Sequence, residues 1–524
     1  MKTNEKKTNG IVYTPQWIVE LILDNLNYKN NIHDKKIIDP ACGEGAFLSE
    51  ILIRFIKDAQ KAGIGNDAIK IKIENNIFGF DIDEKAIKKC VDILDDIVSK
   101  HGLKEIKWNI LRADSLDYSF VRKFFDSFDF VVGNPPYIRI QHLGIQRRGK
   151  IQNSWQLCNI GSTDIFIAFF ELGYYLLNKT GKLGYITPNT WIKTKAGEKL
   201  RNFIKYHQIL ETLIDFEYNQ LFDNATTYSL ITILNKSHKG KCFSLFKGNK
   251  INIDYIDKID IKNLNDNNWI LASNDTLKRL NDIEKRGLPL GKIANIHVGI
   301  TTLADDYYIF KNPIITEKFA EIRLKDGRSF KIEKEILKPI IKVSVLKNPN
   351  EDQNRFIIFP YKKVGNKHFI IEEEELKERF PYTYKYFKTI KEVLDNRDKG
   401  KPNPVCWYAF GRSQGLDTSF GKKILTSPIN LKPNFMVWER EEYTFYAGYC
   451  IKFDGDLNLL CQYLNSENME FYINHISRTY QSNYKSFAKS FIERFGINDL
   501  RLIQHVNNKM QKKNQSSVQL QLSL

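Results

Sequence analysis

The sequence predicts an α/β protein: a doubly wound, mostly parallel sheet of seven strands, followed by a C-terminal domain of mixed α+β character. Three observations lead there. Short apolar segments alternate with amphipathic helices up to about residue 240. One of those segments ends in an acid and runs into a glycine-rich turn that opens a helix, at Asp39–Phe47. Beyond residue 240 the alternation weakens into an irregular, aromatic-rich stretch.

Taken in order, Lys36–Asp39 reads as the first strand and Ala46–Ile56 as the helix after it. A short helix near Asp67–Ile73 precedes the second strand, Ile77–Phe80. Ile87, Val91, Leu94 and Val98 then share one helical face, and Gly102 can end that helix in the left-handed conformation. Ile106–Ile110 and Phe128–Val132 read as strands three and four, Thr163–Leu177 as a buried helix, and Lys182–Ile186 as strand five. Leu210–Ile214 and Tyr228–Leu234 complete the seven. Right-handed crossovers lay such a series into one twisted sheet with helices on both faces.

The length of 524 residues implies more than one domain, since a typical domain holds roughly 100–200 residues. Residues 1–265 are expected to form one domain, 266–505 a second, and 506–524 a polar tail, with Asn263–Asn268 as the linker. Arg355–Tyr361 and Lys423–Pro428 look like strands of the second domain. The first ten residues lack an apolar run, and the most apolar window, Ile165–Leu177, contains Glu171 and is too short for a membrane span. These features read as a cytoplasmic protein without a membrane partner. The seven cysteines form no Cys-x-x-Cys pair and the nine histidines have no ligand spacing, so neither a disulfide framework nor a metal site is expected. A formal net charge of +17 points to an anionic polymer as partner.

Three motifs carry chemistry. In Asp39-Pro40-Ala41-Cys42-Gly43-Glu44-Gly45, the glycines let the backbone approach a ligand at a helix N-terminus. Asp81, in Gly79-Phe80-Asp81-Ile82-Asp83-Glu84, falls at the end of strand two. An acid there either accepts from ribose hydroxyls or caps the next helix, a role that Asp83 fits better. Gly133-Asn134-Pro135-Pro136-Tyr137 follows strand four directly. Its prolines remove two N–H donors, Asn134 adds an acceptor and Tyr137 adds a flat ring. Rigid acceptors beside an aromatic face suit a planar ring bearing an exocyclic amine.

With these motifs in order, residues 11–235 resemble the catalytic domain of the amino-methyltransferases of bacterial type II restriction–modification systems. More narrowly they resemble the gamma group of N6-adenine DNA methyltransferases, whose cofactor motifs precede the catalytic motif and whose target recognition domain is C-terminal. Tyr13-Thr14-Pro15, the Asp39–Gly45 turn, Asn134–Tyr137, Gly181–Trp191 and Leu221–Ile233 match that group's motifs in sequence. The resemblance implies S-adenosylmethionine as cofactor. Thr14 would contact its methionine carboxylate, and Asp39, with Ala41 and Gly43, would line its amino-acid end. Asp81 would hold its ribose, with Ile82 alongside, and Asp114 would accept from its adenine amine. Asn134, which also borders the cofactor, and the Pro135 carbonyl would bind the target amine. Tyr137 and Phe222 would sandwich a flipped base, unless Phe222 is a core aromatic. Arg147, Arg148 and Lys150 lie where a loop meets DNA phosphates, or else form a solvated basic loop.

The resemblance further implies double-stranded DNA as substrate and a cognate restriction endonuclease as separate genetic partner, because no nuclease motif is recognised. Ile296–Phe310 and Tyr480–Phe487 resemble pieces of recognition domains. Rival readings are N4-cytosine methylation of DNA, methylation of a protein glutamine, and a catalytically idle DNA-binding subunit.

Overall fold

The computed structural model describes residues 14–504 except 160, 223–224 and 266–267. Tyr13, residues 266–267 of the expected Asn263–Asn268 linker, and the 506–524 tail lie outside the described residues. The chain separates into two compact units, Met1–Leu277 and Lys278–Leu524.

In the first unit, helix α1 (Gln16–Asn25) leads into strand β1 (Ile37–Asp39), then α2 (Ala46–Lys61), α3 (Asn66–Asn76), β2 (Ile77–Asp81) and α4 (Glu84–Lys100). Strands β3 (Asn109–Arg112) and β4 (Phe128–Gly133) follow. Next come α5 (Ile145–Ser154), α6 (Phe166–Leu176), β5 (Leu177–Pro188) and α7 (Glu198–His207), with β6 (Leu210–Phe222) and β7 (Ala225–Asn235) after them. All seven expected strands are present. Two more, β8 (Cys242–Gly248) and β9 (Ile253–Asp260), extend the sheet to nine in the order β3-β2-β1-β4-β5-β7-β6-β8-β9. Strands β3, β2, β1, β4 and β5 are parallel neighbours, and β7 runs antiparallel between β5 and β6.

Alternate residues of each strand feed two cores, one per face. Ile37, Ile77, Val132, Ile214 and Ile231 pack with α1–α4, and Ile38, Phe80, Val131, Leu213 and Leu230 pack with α5–α7. Because β1 is buried on both faces, its isoleucines are consecutive rather than alternating, and its one polar residue, Asp39, stands at its end. Helix α4 is capped by Asp83, whose side chain accepts from Lys85 N, and it ends before Gly102 at φ +73°. Strand β3 begins three residues later than expected, because β2 starts at Ile77 and offers its first partner, Phe78, to Asn109. The segment before it is held by side chains instead, with Lys107 N donating to Glu74 Oε1 at 2.9 Å.

The first unit continues past residue 265: Trp269 is fully buried, stacks edge-on to Trp191 at 5.6 Å and donates its backbone N–H to Ile192 O. The second unit is mixed α+β. One four-stranded sheet joins Asn295–Val298, Tyr449–Lys452, Lys423–Thr426 and Phe435–Trp438. Another joins Ile309–Lys311, Arg355–Ile358, Leu337–Lys342 and Thr444–Tyr446. Its largest core is aromatic, with Tyr308, Phe359, Tyr386, Phe387, Tyr408 and Phe410 in contact. Among the described residues no helix is long and apolar enough to cross a membrane.

Candidate active site

The parallel strands β1, β2, β3 and β4 all end on one edge of the sheet. The chain order reverses about β1, whose neighbours are β2 and β4, which makes this edge a topological switch point where open α/β sheets bind ligands. Asp39 stands at that point and is only 1% exposed. Its Oδ1 accepts from Ala41 N at 3.0 Å. Burial pushes its carboxyl up to about 8, with the nearby Asp81 charge adding to the rise. Gly133, the last residue of β4, has to be glycine: a Cβ there would lie 2.7 Å from Asp39 Oδ1.

The glycine-rich turn is tied to β2. Gly43 N donates to Asp81 Oδ2 at 2.9 Å, and Asp83 N donates to Asp81 Oδ1 at 2.9 Å. Gly43 adopts φ +52°, and a Cβ on it would meet nothing within 4 Å, so the turn is open on that side. Gly45 serves a different end from the expected ligand approach. At φ +90°, its missing side chain makes room for Cys90, whose Sγ would lie 2.7 Å from a Cβ. Ile82, the residue after Asp81, exposes 52% of its surface and offers an apolar face at the same edge. At the end of β3, Asp114 Oδ1 accepts from Leu116 N at 3.1 Å and Ser115 Oγ donates to Pro40 O at 2.5 Å.

Asn134 and Thr14, 120 positions apart, meet here. Asn134 Nδ2 donates to the buried Thr14 Oγ1 at 3.0 Å. That bond fixes the rotation of the amide plane, and with it the direction in which Oδ1 accepts. Pro135 is buried and lacks an N–H. The half-buried Tyr137 ring lies edge-on to Phe166 at 6.3 Å, and its hydroxyl reaches Ile186 O only at 3.5 Å. Burial raises its phenol well above the usual range.

Two other expectations meet a different geometry. Phe222, expected opposite Tyr137, is 3% exposed and belongs to the apolar core that also holds the buried face of α1, so its ring is covered here. Arg147, Arg148 and Lys150 lie on helix α5 rather than on a loop. Arg147 Nε sits 3.1 Å from Asp114 Oδ2, as an ion pair whose alignment does not make a hydrogen bond. Sequence reasoning missed this pairing, and also the network in which Asn189 Nδ2 donates to Asp215 Oδ1 and Glu217 O. Asn189 had a signal, since it lies inside the Gly181–Trp191 motif. Among the described residues no group of three or more His, Cys, Asp or Glu is arranged to hold a metal.

Residues 75–222 match the family described as Eco57I restriction-modification methylase. The chain is 31% identical over 484 residues to the type II restriction enzyme and methyltransferase RM.Eco57I of Escherichia coli, covering 78% of this chain and 48% of that protein. It thus spans about half the length of this relative. It is 24% identical to the type II methyltransferase M.BanIII of Aneurinibacillus aneurinilyticus, covering 92% of this chain and 86% of that one. Among solved structures, the type IIL restriction-modification enzyme MmeI in complex with DNA shares the fold, with a TM-score of 0.56 at 14% identity, covering 94% of this chain and 64% of that one.

Proposed function

Because the chain carries an Eco57I-type restriction–modification methylase domain, we propose that it methylates the N6 amine of adenine in double-stranded DNA at a specific sequence. S-adenosylmethionine is the cofactor of such a domain, and when bound it supplies an electrophilic methyl group. The residues at the strand tips fit it. The buried Asp39, at the start of the turn that is open at Gly43, suits the cationic amino-acid end. Asp81 suits the ribose, and the exposed Ile82 suits the flat face of a purine. Asp114 suits the amine of that purine and is already ordered by Leu116 N and Arg147.

The reading rests on Asn134–Tyr137 at the tip of β4, held against Thr14 and next to Asp39. The adenine amine is a poor nucleophile because its lone pair is delocalised into the ring. Asn134 Oδ1 and the Pro135 carbonyl accept its two hydrogens, which favours a pyramidal nitrogen with a localised lone pair. These are preorganised acceptors aimed at charge that develops in the transition state. Thr14 is a positioning residue in this account, since it orients the Asn134 amide. Tyr137 offers a ring face to a base extruded from the duplex. Phe222 can take the opposite face only if its ring leaves the core.

The second unit, which starts at Lys278 rather than at residue 266, is assigned to target recognition. Support comes from the +17 charge of the chain and from the fold it shares with an enzyme solved in complex with DNA. A restriction endonuclease of the same specificity is the expected genetic partner. Asn134→Ala tests the reading: methyl transfer should be lost while calorimetry finds cofactor affinity unchanged. Parallel loss of both in a folded protein would make Asn134 a structural residue.

A further inference from the structure

From Phe130 to Thr163 the sequence holds no acidic residue, although 62 acids in 524 residues would place about four in a stretch of that length. The same stretch carries Arg139, His142, Arg147, Arg148 and Lys150, and it contains the Asn134–Tyr137 tip. Its ends are pinned together just beyond that tip. Ile140 N donates to Thr163 O at 2.8 Å, Ile165 N donates to Ile138 O at 2.9 Å, and Arg139 bridges Asp164 in antiparallel fashion. The residues between form a closed excursion rooted at the candidate active site.

Helix α5 is the main element of that excursion. Its far end is anchored by the buried Ile151 and by Trp155, whose Nε1 donates to Leu116 O at 3.0 Å. Its first residue, Ile145, is 80% exposed, whereas the other apolar side chains nearby, Ile138 and Leu143, are half-buried against the core. A β-branched apolar side chain held in water at the head of a helix, ahead of the polar stretch Gln146–Lys150, contributes nothing to folding. The cations around it match a polyanion rather than an apolar protein face.

We propose that Ile145 is the wedge that enters the DNA stack where the target base has left it, while Arg148 and Lys150 on the same helix meet the flanking phosphates. This rests on the reading given under Proposed function. Extruding a base leaves a gap into which it can return, and an apolar side chain filling that gap holds the extruded state.

The test uses the full chain and a short duplex built on the sequence that the wild-type protein methylates in unmodified bacterial DNA. The target adenine is placed either opposite thymine or opposite an abasic position. Ile145→Ala should slow single-turnover methylation of the paired duplex about ten-fold, equivalent to about 1.4 kcal/mol of barrier. It should fall within about two-fold of wild type when the partner base is missing, because little pairing then opposes extrusion. Ile145→Leu should keep most of the rate on both. Substituting so exposed a residue leaves the fold intact, and unchanged cofactor affinity verifies this. A wild-type rate for Ile145→Ala on the paired duplex would overturn the inference, as would the same loss on both duplexes. Failure of the underlying reading is seen separately, in wild-type protein that methylates no adenine before any variant is made.

Discussion

Asp39 gives cofactor binding a pH dependence that can be worked out in advance. Its carboxyl is 1% exposed, and burial raises it to about 8. At pH 7 about one-tenth of the free protein is therefore ionised at this position, and at pH 6 about one-hundredth. If the cationic amino-acid end of S-adenosylmethionine binds the ionised form, apparent affinity scales with that fraction. The amine itself stays protonated below about 7.7. The dissociation constant should thus fall about ten-fold from pH 6 to pH 7, and binding at pH 7 should release about 0.9 proton. Stability of the free protein should move the other way. The folded state holds a proton on Asp39 that the unfolded chain, ionising near 3.9, has lost, so this residue's contribution declines by about 1.4 kcal/mol per pH unit between about pH 4 and 8. Calorimetry in two buffers of different ionisation enthalpy reads the affinity and the proton count together. Asp39→Asn should bind more weakly and lose the dependence, because asparagine can still accept from Ala41 N. A wild-type constant that is flat between pH 6 and 7 would refute the reasoning, as would an unchanged slope in Asp39→Asn.

Thr14→Val keeps the side-chain shape but removes the acceptor 3.0 Å from Asn134 Nδ2, leaving a donor unsatisfied at a cost of about 1–3 kcal/mol. Single-turnover methylation should drop accordingly with cofactor affinity unchanged, whereas weaker cofactor binding at a normal rate would assign Thr14 to the methionine carboxylate instead. Tyr137→Phe should be tolerated, because the hydroxyl reaches Ile186 O only at 3.5 Å. Tyr137→Ala should lose about 1–3 kcal/mol of stacking, and less on a mispaired adenine. An equal alanine defect on paired and mispaired duplexes would count against stacking.

The central strands were legible because burial on both faces leaves consecutive apolar residues, as in Ile37–Ile38 of β1 and Phe130–Val132 of β4. The β8–β9 hairpin was not, since Ile253–Asp260 intersperses Asp and Lys with its apolar residues and only Ile259 is fully buried. The motif residues were found singly, but their joints were not. The Asn134–Thr14 bond spans 120 positions, and the steric demand at Gly133 arises only when β4 lies beside β1. The facing of Phe222 was unreadable for a specific reason. Strand β6 slips register between Asp215 and Gln220, with Glu217 at φ +52°, so a period of two does not carry through it. Consecutive Leu221 and Phe222 then enter the same core, which a regular strand does not allow.

The central claim is that the Asn134–Tyr137 tip delivers a methyl group to the N6 amine of adenine. Its most direct test is nucleoside analysis of unmodified double-stranded DNA incubated with the full chain and S-adenosylmethionine labelled in the methyl group. The account predicts that all label is recovered as N6-methyladenosine deoxynucleoside, and that Asn134→Ala yields none. Label in N4-methylcytosine, or label that stays with protein rather than DNA, would contradict it.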